Sequence, residues 1–435
     1  MIHKFKNFLA RQVTQIRQGG TKVLYRKIGR VVRDVILWLA SIPFVLLIRL
    51  LQPVIKVRFI WMDAGRIGHF EIANVYLARK KNGEFPSGIL DIVYFDISTG
   101  QVANEQYLKM WKRALHPTPL IFSRLLKSID KLNERLPGEK IIYHPGRVQY
   151  TSDHNKAINN EITENILRHV DSPISFTPDE QVLGKKLLFE LGIHDDKQFI
   201  CFHSRDSVYL DNLKSDRDWM YHNFRDSNIC NYIPAAEEMT KRKYYAVRMG
   251  SHVKQSLDVD NPKIIDYATN GRRSDFLDIY LSANCRIFLL SDTGLSNPPE
   301  VFRKPIVYVN DFLFALLHRA SVRNGLFIFK RFHSLKEKRY ITFHEILSLK
   351  NDGFEYNFNK QIDKGEIYVV DNTPDEILSV TIEMDERLKG TWETNEEDEA
   401  LQAQFWSLLP SKLLKSPNCR IGAQFLRDNR EMLNS

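Results

Sequence analysis

Residues 285–310, CRIFLLSDTGLSNPPEVFRKPIVYVN, decide how the rest of the chain is read. They are expected to form a buried strand (Ile287 to Leu290), a tight turn (Ser291, Asp292, Thr293, Gly294), a short helix and a second strand (Ile306 to Val309). Short apolar runs separated by turn residues and a crossover segment are the pattern of a parallel α/β sheet. A small-residue loop that feeds a helix start presents free N–H groups and the positive end of the dipole, which suit a phosphate. Asp292, Thr293 and Gly294 are therefore candidates for a diphosphate cradle. Capping by Asp292 and Thr293, with chain reversal at Gly294, accounts for the same residues.

Working outward, several upstream segments have the same character. Phe199 to Phe202 is a strand that delivers His203, Ser204, Arg205 and Asp206 to its carboxyl end, and Tyr244 to Arg248 is the next. A guanidinium at such a place can grip a diphosphate bidentately; for Arg205 the alternative is an interior salt bridge with Asp206 or another carboxylate. His203 and Arg248 are candidate donor ligands on the same grounds of position. Glu300 stands near the start of the helix after Gly294, within reach of a ribose hydroxyl or of Arg303. Between Ser207 and Ile229 lies a long polar and aromatic insertion with Tyr209, Trp219, Tyr221, His222, Arg225 and Asp226. Loops of that size are usually functional or mobile.

The N-terminal half opens differently. Val57 to Met62 reads as a strand, then Asp63, Ala64, Gly65, Arg66, Ile67, Gly68 and His69 as a loop, then a helix from about Phe70 to Arg79. Strand, glycine loop and helix begin a doubly wound domain, whose ligands sit at the carboxyl ends of strands. Further strands are expected at Ile89 to Ile97 and Lys140 to Tyr143, and helical spacing at Gln106 to Leu115 and Leu120 to Leu136. Asp153, His154 and Asn155 have loop composition. The two prolines of Asp171 to Asp179 mark an inter-domain connection, followed by a helix with Thr177 as cap and Pro178 in its first turn.

The 435 residues allow two domains and an appendage, and 43% hydrophobic content supports real cores. Lys and Arg number 62 against 53 Asp and Glu, a net charge of +9 that suits an acidic partner. Nine of those cations fall in residues 4–33, before the apolar run Val35 to Ile48, which Pro43 interrupts and Arg49 closes. This arm is expected to lie in or dip into a cytoplasmic membrane surface with anionic lipids, Trp38 and Phe44 entering the acyl boundary; a single-pass span and a buried helix are the alternatives. Nucleic acid is disfavoured as partner because the charge is concentrated beside an apolar segment. Four dispersed cysteines, without a CxxC pair, argue against a disulfide framework or zinc site.

The pattern SDTG-x8-RKPIVYVN, with KYYAVRMG, IIDYATNGRRSDFLDIYLSA and CFHSRDSVYLD upstream, resembles a family of bacterial glycosyltransferases found with surface-polysaccharide genes, from about Arg58 to the C-terminus. The strand, DTG loop and helix order is similar to the donor half of heptosyltransferase-like GT-B enzymes. The segment around His203 and Arg205 is similar to the diphosphate-binding arginine of fucosyltransferase-type enzymes, though Asp206 directly follows the arginine here. The resemblance implies a GT-B-like α/β fold: a membrane-associated arm (1–56), an acceptor-side Rossmann-like domain (57–175), a nucleotide-sugar-binding Rossmann-like domain (176–330) and a helical extension (331–435) whose residues Phe425 to Leu433 cross back to the first domain.

It also implies an activity, transfer of a sugar from a nucleotide-diphosphate donor to a glycan or lipid-linked acceptor at the cytoplasmic face of the inner membrane, with the protein peripheral or monotopic. His69 is the implied general base, since a neutral imidazole accepts a hydroxyl proton near neutrality, and Asp63 the reserve candidate. The expected chemistry needs no cofactor and no metal. Two DxD triplets, Asp216 to Asp218 and Asp258 to Asp260, keep a metal-dependent route open. A membrane-docked assembly factor without turnover is the non-enzyme alternative.

Overall fold

The computed structural model describes residues 2–83, 85, 88–97, 100–137, 166–167, 169–206, 208, 224–313, 322–348, 362, 364–409 and 419–434, with side chains from residue 20 onward. The expectations at Lys140 to Tyr143, at Asp153, His154 and Asn155, at Tyr209, Trp219, Tyr221 and His222, and at the triplet Asp216 to Asp218 lie outside the described residues. Two compact units are present, Met1–Met62 with Pro86–Asp96 and Pro117–His144, and Asp63–Phe85 with Ile97–His116 and Pro145–Ser435. This division differs from the expected boundaries after residues 56, 175 and 330.

The first unit is built on a long helix, Ile2–Leu51, broken in backbone geometry at Gly20 (φ 60°, ψ −158°). From Gly20 to Leu51 it runs through Pro43 without stopping, although proline there removes a hydrogen bond at a cost of about 3 kcal/mol. Docking offsets that cost. Ser41 and Val45 are buried, and Arg49 donates to Asn133 Oδ1 (2.8 Å) and to the carbonyls of Asn133 (2.9 Å) and Pro137 (2.5 Å), at the end of the helix Ser123–Arg135. Val45 joins Phe59, Tyr94, Ile129 and Leu132 in a small core under the two-stranded sheet of β1 (Lys56–Asp63) and β2 (Ile89–Asp96). The rest of the long helix is mostly bare. Val31, Val35, Ile36, Trp38, Leu39, Phe44, Leu46 and Leu47 are all exposed, and its most apolar window has a mean hydropathy of 2.2.

The second unit holds a seven-stranded, wholly parallel sheet. Its strands in chain order are β3 (Phe199–His203), β4 (Tyr245–Arg248), β5 (Ile264–Ile265), β6 (Phe288–Leu290), β7 (Ile306–Asp311) and β8 (Gly325–Phe329). After a small antiparallel sheet of β9 (Arg331–Ser334), β10 (Arg339–Tyr340) and β11 (Ile367–Val370), β12 (Cys419–Ile421) completes it. The spatial order is β12-β8-β7-β6-β3-β4-β5. β3, β6, β7 and β8 are buried along almost their whole length, as expected of strands covered on both faces.

The tail corrects one expectation. Residues 331–435 are not only a helical extension, because β12 pairs in parallel with β8 and closes one edge of the main sheet. Residues Ala423–Asp428 pack on the helices Pro374–Lys389 and Glu396–Ser407 of the same tail, with Phe425 edge-on to Phe329 of β8. Apolar contact with the sheet fixes this segment.

Candidate functional site

The chain enters the main sheet at β3, builds β4 and β5 to one side, then crosses to lay β6, β7, β8 and β12 on the other. The order reverses between β3 and β6, and in doubly wound sheets the ligand crevice opens at the carboxyl ends of the two strands flanking such a reversal. Here those ends are His203 to Asp206 and Ser291 to Gly294. They are laced together: Ser291 N–H donates to His203 O (3.3 Å), and Arg205 N–H to Ser291 Oγ (2.8 Å). The Cys285 to Asn310 stretch therefore supplies one of the two strand ends at the reversal.

A second pair of groups reaches the same place from the end of β1. Asp63 is buried, and its carboxylate accepts Gly65 N–H (2.8 Å) on one oxygen and His69 Nδ1 (2.8 Å) on the other. With Nδ1–H donated to a carboxylate, the lone pair lies on Nε2, and the imidazole side chain is 44% exposed. The two residues weighed as alternative bases are thus one assembly, with Asp63 orienting and His69 presenting the acceptor nitrogen. The next residue holds the turn down: Phe70 is fully buried and packs against Tyr107 (4.8 Å) and Trp111 (6.4 Å).

Gly68 brings this turn onto the β6 loop. A Cβ at Gly68 would stand 3.1 Å from Gly294 Cα, and one at Gly294 would stand 3.3 Å from Gly68 N. At both positions a side chain would press on the facing backbone, which would have to give by a few tenths of an ångström. The helix beyond is short, Asn297–Val301, entered through the 3-10 turn Gly294–Ser296, so little dipole accumulates at the loop. Thr293 is its N-cap, accepting Leu295 N–H (3.4 Å). Of the two readings of the DTG loop, the local geometry supplies capping for Thr293 and close packing for Gly294.

The charged candidates are all engaged. Arg205 pairs with Asp226, not with its neighbour Asp206, which accepts the amides of Val208 and Lys254 (3.1 Å each). Burial lowers the Arg205 pKa and raises that of Asp226. Asp292 pairs with Arg225 (2.7 Å). Arg248 is buried and donates to Gln255 O (2.8 Å) and Asp266 Oδ2 (3.2 Å). Glu300 accepts Tyr308 OH (2.5 Å) rather than the Arg303 side chain, whose Nη1 takes the backbone carbonyl of Glu300. His203 Nδ1 lies 2.9 Å from Met249 O, so it carries the proton, and desolvation pushes the pKa down to about 4; the ring is neutral.

Two of these pairs, Arg205–Asp226 and Asp292–Arg225, come from the end of the long insertion, which the sequence flagged only as a polar and aromatic loop. Phe224 to Ser227, the last residues of the long insertion, lie across the ends of β3, β6 and β8. Lys330, buried just beyond β8, donates to the carbonyls of Phe224 (3.0 Å) and Asp226 (2.6 Å) and pairs with Asp371 (2.7 Å). A lysine directly after the apolar run GLFIF was the available signal. Elsewhere, an open groove of about 560 Å³ is lined by Glu105, Lys109, Lys112, Arg113 and His116, but Glu180 already holds Lys109 and Arg113. Among the described residues, no cluster of three or more His, Cys, Asp or Glu could hold a metal ion.

No family model and no curated protein matches the chain. Solved structures similar to it include a glycosyl transferase family 9 protein from Veillonella parvula (TM-score 0.33, 11% identity, over 58% of this chain and 80% of that one). The E. coli ADP-heptose lps heptosyltransferase II is another (TM-score 0.35, 12% identity, 71% and 98%). A third is S. aureus MnaA with UDP (TM-score 0.29, 10% identity, 79% and 99%). At these TM-scores no residue role is carried over from them.

Proposed function

We propose that the protein transfers a sugar from a nucleotide-diphosphate donor to an acceptor hydroxyl. The observation that carries this reading is the Asp63–His69 pair set beside the Ser291 to Gly294 loop, where the strand order reverses. The donor's diphosphate lies at the ends of β3 and β6, with Arg205 as its principal cation. His69 Nε2 accepts the acceptor proton as the new C–O bond forms at the anomeric carbon. The bond from that carbon to the diphosphate breaks, and the charge growing on the leaving group is met by the arginine. The transition state has oxocarbenium character, as in other glycosyl chemistry.

The acceptor is a lipid-linked or polysaccharide glycan, and the cytoplasmic membrane face is the place of work. The bare apolar surface of Gly20–Leu51 and the basic residues before it support that part.

The test is a thermal-shift panel of GDP, UDP, dTDP and CMP with their sugars, run on wild type and Arg205→Lys. Selective stabilisation that weakens in the variant supports a donor site and identifies its nucleotide. A second reading, an assembly factor of this fold without turnover, is favoured by one observation: Arg205, Arg225 and Arg248 are each already paired with an aspartate. Absence of any nucleotide shift in folded protein would turn the balance to it.

A further inference from the structure

We propose that Arg225 is a second ligand for the donor diphosphate, and that Asp292 and Asp226 occupy, in the unliganded protein, the places that phosphate oxygens take in the complex. The inference rests on the donor-site reading above and deepens it.

The segment that carries Arg225 is fixed by bonds other than its ion pairs. Lys330 grips its carbonyls at Phe224 and Asp226. Ser227 N–H donates to Arg205 O (3.1 Å), and the hydroxyls of Ser204 and Ser227 meet at 2.9 Å. Phe224 packs edge-on to Phe312 at 5.0 Å. The pairs Arg225–Asp292 and Arg205–Asp226 can therefore open while the backbone of residues 224–227 stays where it is. Arg205 lies at the end of β3 and Arg225 on the segment 224–227, and the two charges are close enough to act on one another.

Chemistry makes the exchange an even one. A guanidinium fork fits phosphate by two parallel hydrogen bonds, whereas Arg225 meets Asp292 as an ion pair whose Nε makes no hydrogen bond, so a diphosphate offers Arg225 at least what it gives up. Charge makes it necessary. Arg205, Arg225 and Lys330 stand among Asp206, Asp226, Asp292 and Asp371, so these carboxylates cancel the charge of the two arginines for an incoming anion while they stay in place. Burying both partners of such a pair costs desolvation that their attraction only partly returns, which keeps the pair exchangeable. Arg225 is the more accessible partner, its side chain 26% exposed against 7% for Asp292.

The experiment measures affinity of the full-length protein for inorganic pyrophosphate, GDP, UDP and dTDP in wild type, Arg225→Gln, Arg225→Lys and Asp292→Asn, with each fold checked by thermal unfolding. Arg225→Gln is expected to weaken binding about tenfold or more. Arg225→Lys should lose less, and Asp292→Asn should tighten binding a few-fold because its competitor is gone. Opposite signs for the two partners of one ion pair are what a purely structural bridge does not produce. Wild-type binding that Arg225→Gln leaves unchanged, or weakening of similar size in Arg225→Gln and Asp292→Asn, overturns the inference while leaving the donor site standing. Should Arg225→Gln fail to fold, Arg225→Lys against Asp292→Asn decides by the same signs. No binding of any of these ligands by the wild type removes the donor reading and this inference with it.

Discussion

The loop after β1 and the loops after β3 and β6 are neighbours, yet they hold their functional groups in opposite states. After β1, a buried carboxylate orients an imidazole and leaves its basic nitrogen turned outward. After β3 and β6, each arginine is neutralised by an aspartate. On the proposed function, the difference matches what each group would have to do. A base is useful only if its lone pair is available when the hydroxyl arrives. An arginine waiting for a diphosphate would otherwise sit partly buried and uncompensated, which is costly.

The sharpest way to break this contrast is at the base. His69→Ala should lower turnover about 10²- to 10⁴-fold with little change in nucleotide affinity, measured by donor consumption and by thermal shift. Equal loss of both would make His69 a structural residue. Asp63→Asn comes next. The amide presents an N–H toward Nδ1 and forces the proton onto Nε2, so turnover should fall about 10- to 10³-fold, and its dependence on pH should change with it.

Gly68→Ala tests whether the two loops must touch. Its Cβ would meet Gly294 backbone at 3.1 Å, so the melting temperature should fall by an amount equivalent to about 1–3 kcal/mol. An unchanged melting temperature would show that the loops separate freely.

The smallest effect is a pair of opposed pH slopes. His203 has a pKa of about 4, below its ordinary value of about 6.5, so between those values the unfolded chain binds a proton that the folded protein does not. Its contribution to stability is full above about pH 6.5 and is lost as pH falls toward 4. Asp278, buried beside Tyr267 and Arg273, is pushed up to about 6 by desolvation. Its contribution is present below the ordinary carboxylate value and lost as pH rises through 6. In wild type the two largely offset. His203→Gln should leave stability falling from pH 4 to 6, and Asp278→Asn should leave it rising, each by at most about 3 kcal/mol. Parallel slopes in the two variants would refute the assignment.

Much of the fold was legible in short stretches. The strands of Phe199 to Phe202, Tyr244 to Arg248 and Ile306 to Val309 appear within a residue or two of expectation, as does the helix capped by Thr177. Local apolar runs and caps specify such elements without help from the rest of the chain. Pro43 misled because its local cost is outweighed by contacts with residues 84 and 88 positions away in sequence, made by Arg49.

The sequence by itself determined that the chain is α/β, that its loops with candidate residues follow strands, and that His69, Arg205 and the Ser291 to Gly294 turn are the candidates to place in space. It could do so because strand, turn and cap signals are local. Only the tertiary structure decided who partners whom. Asp63 and His69, read as rivals, prove to be joined; Arg205 chooses Asp226 over its neighbour Asp206; Gly68 meets Gly294 across 226 residues of chain; and β12 travels from the tail to close the sheet beside β8. Pairing of charges and close approach of backbones depend on distances in space, and those are set by how the strands are ordered in the sheet.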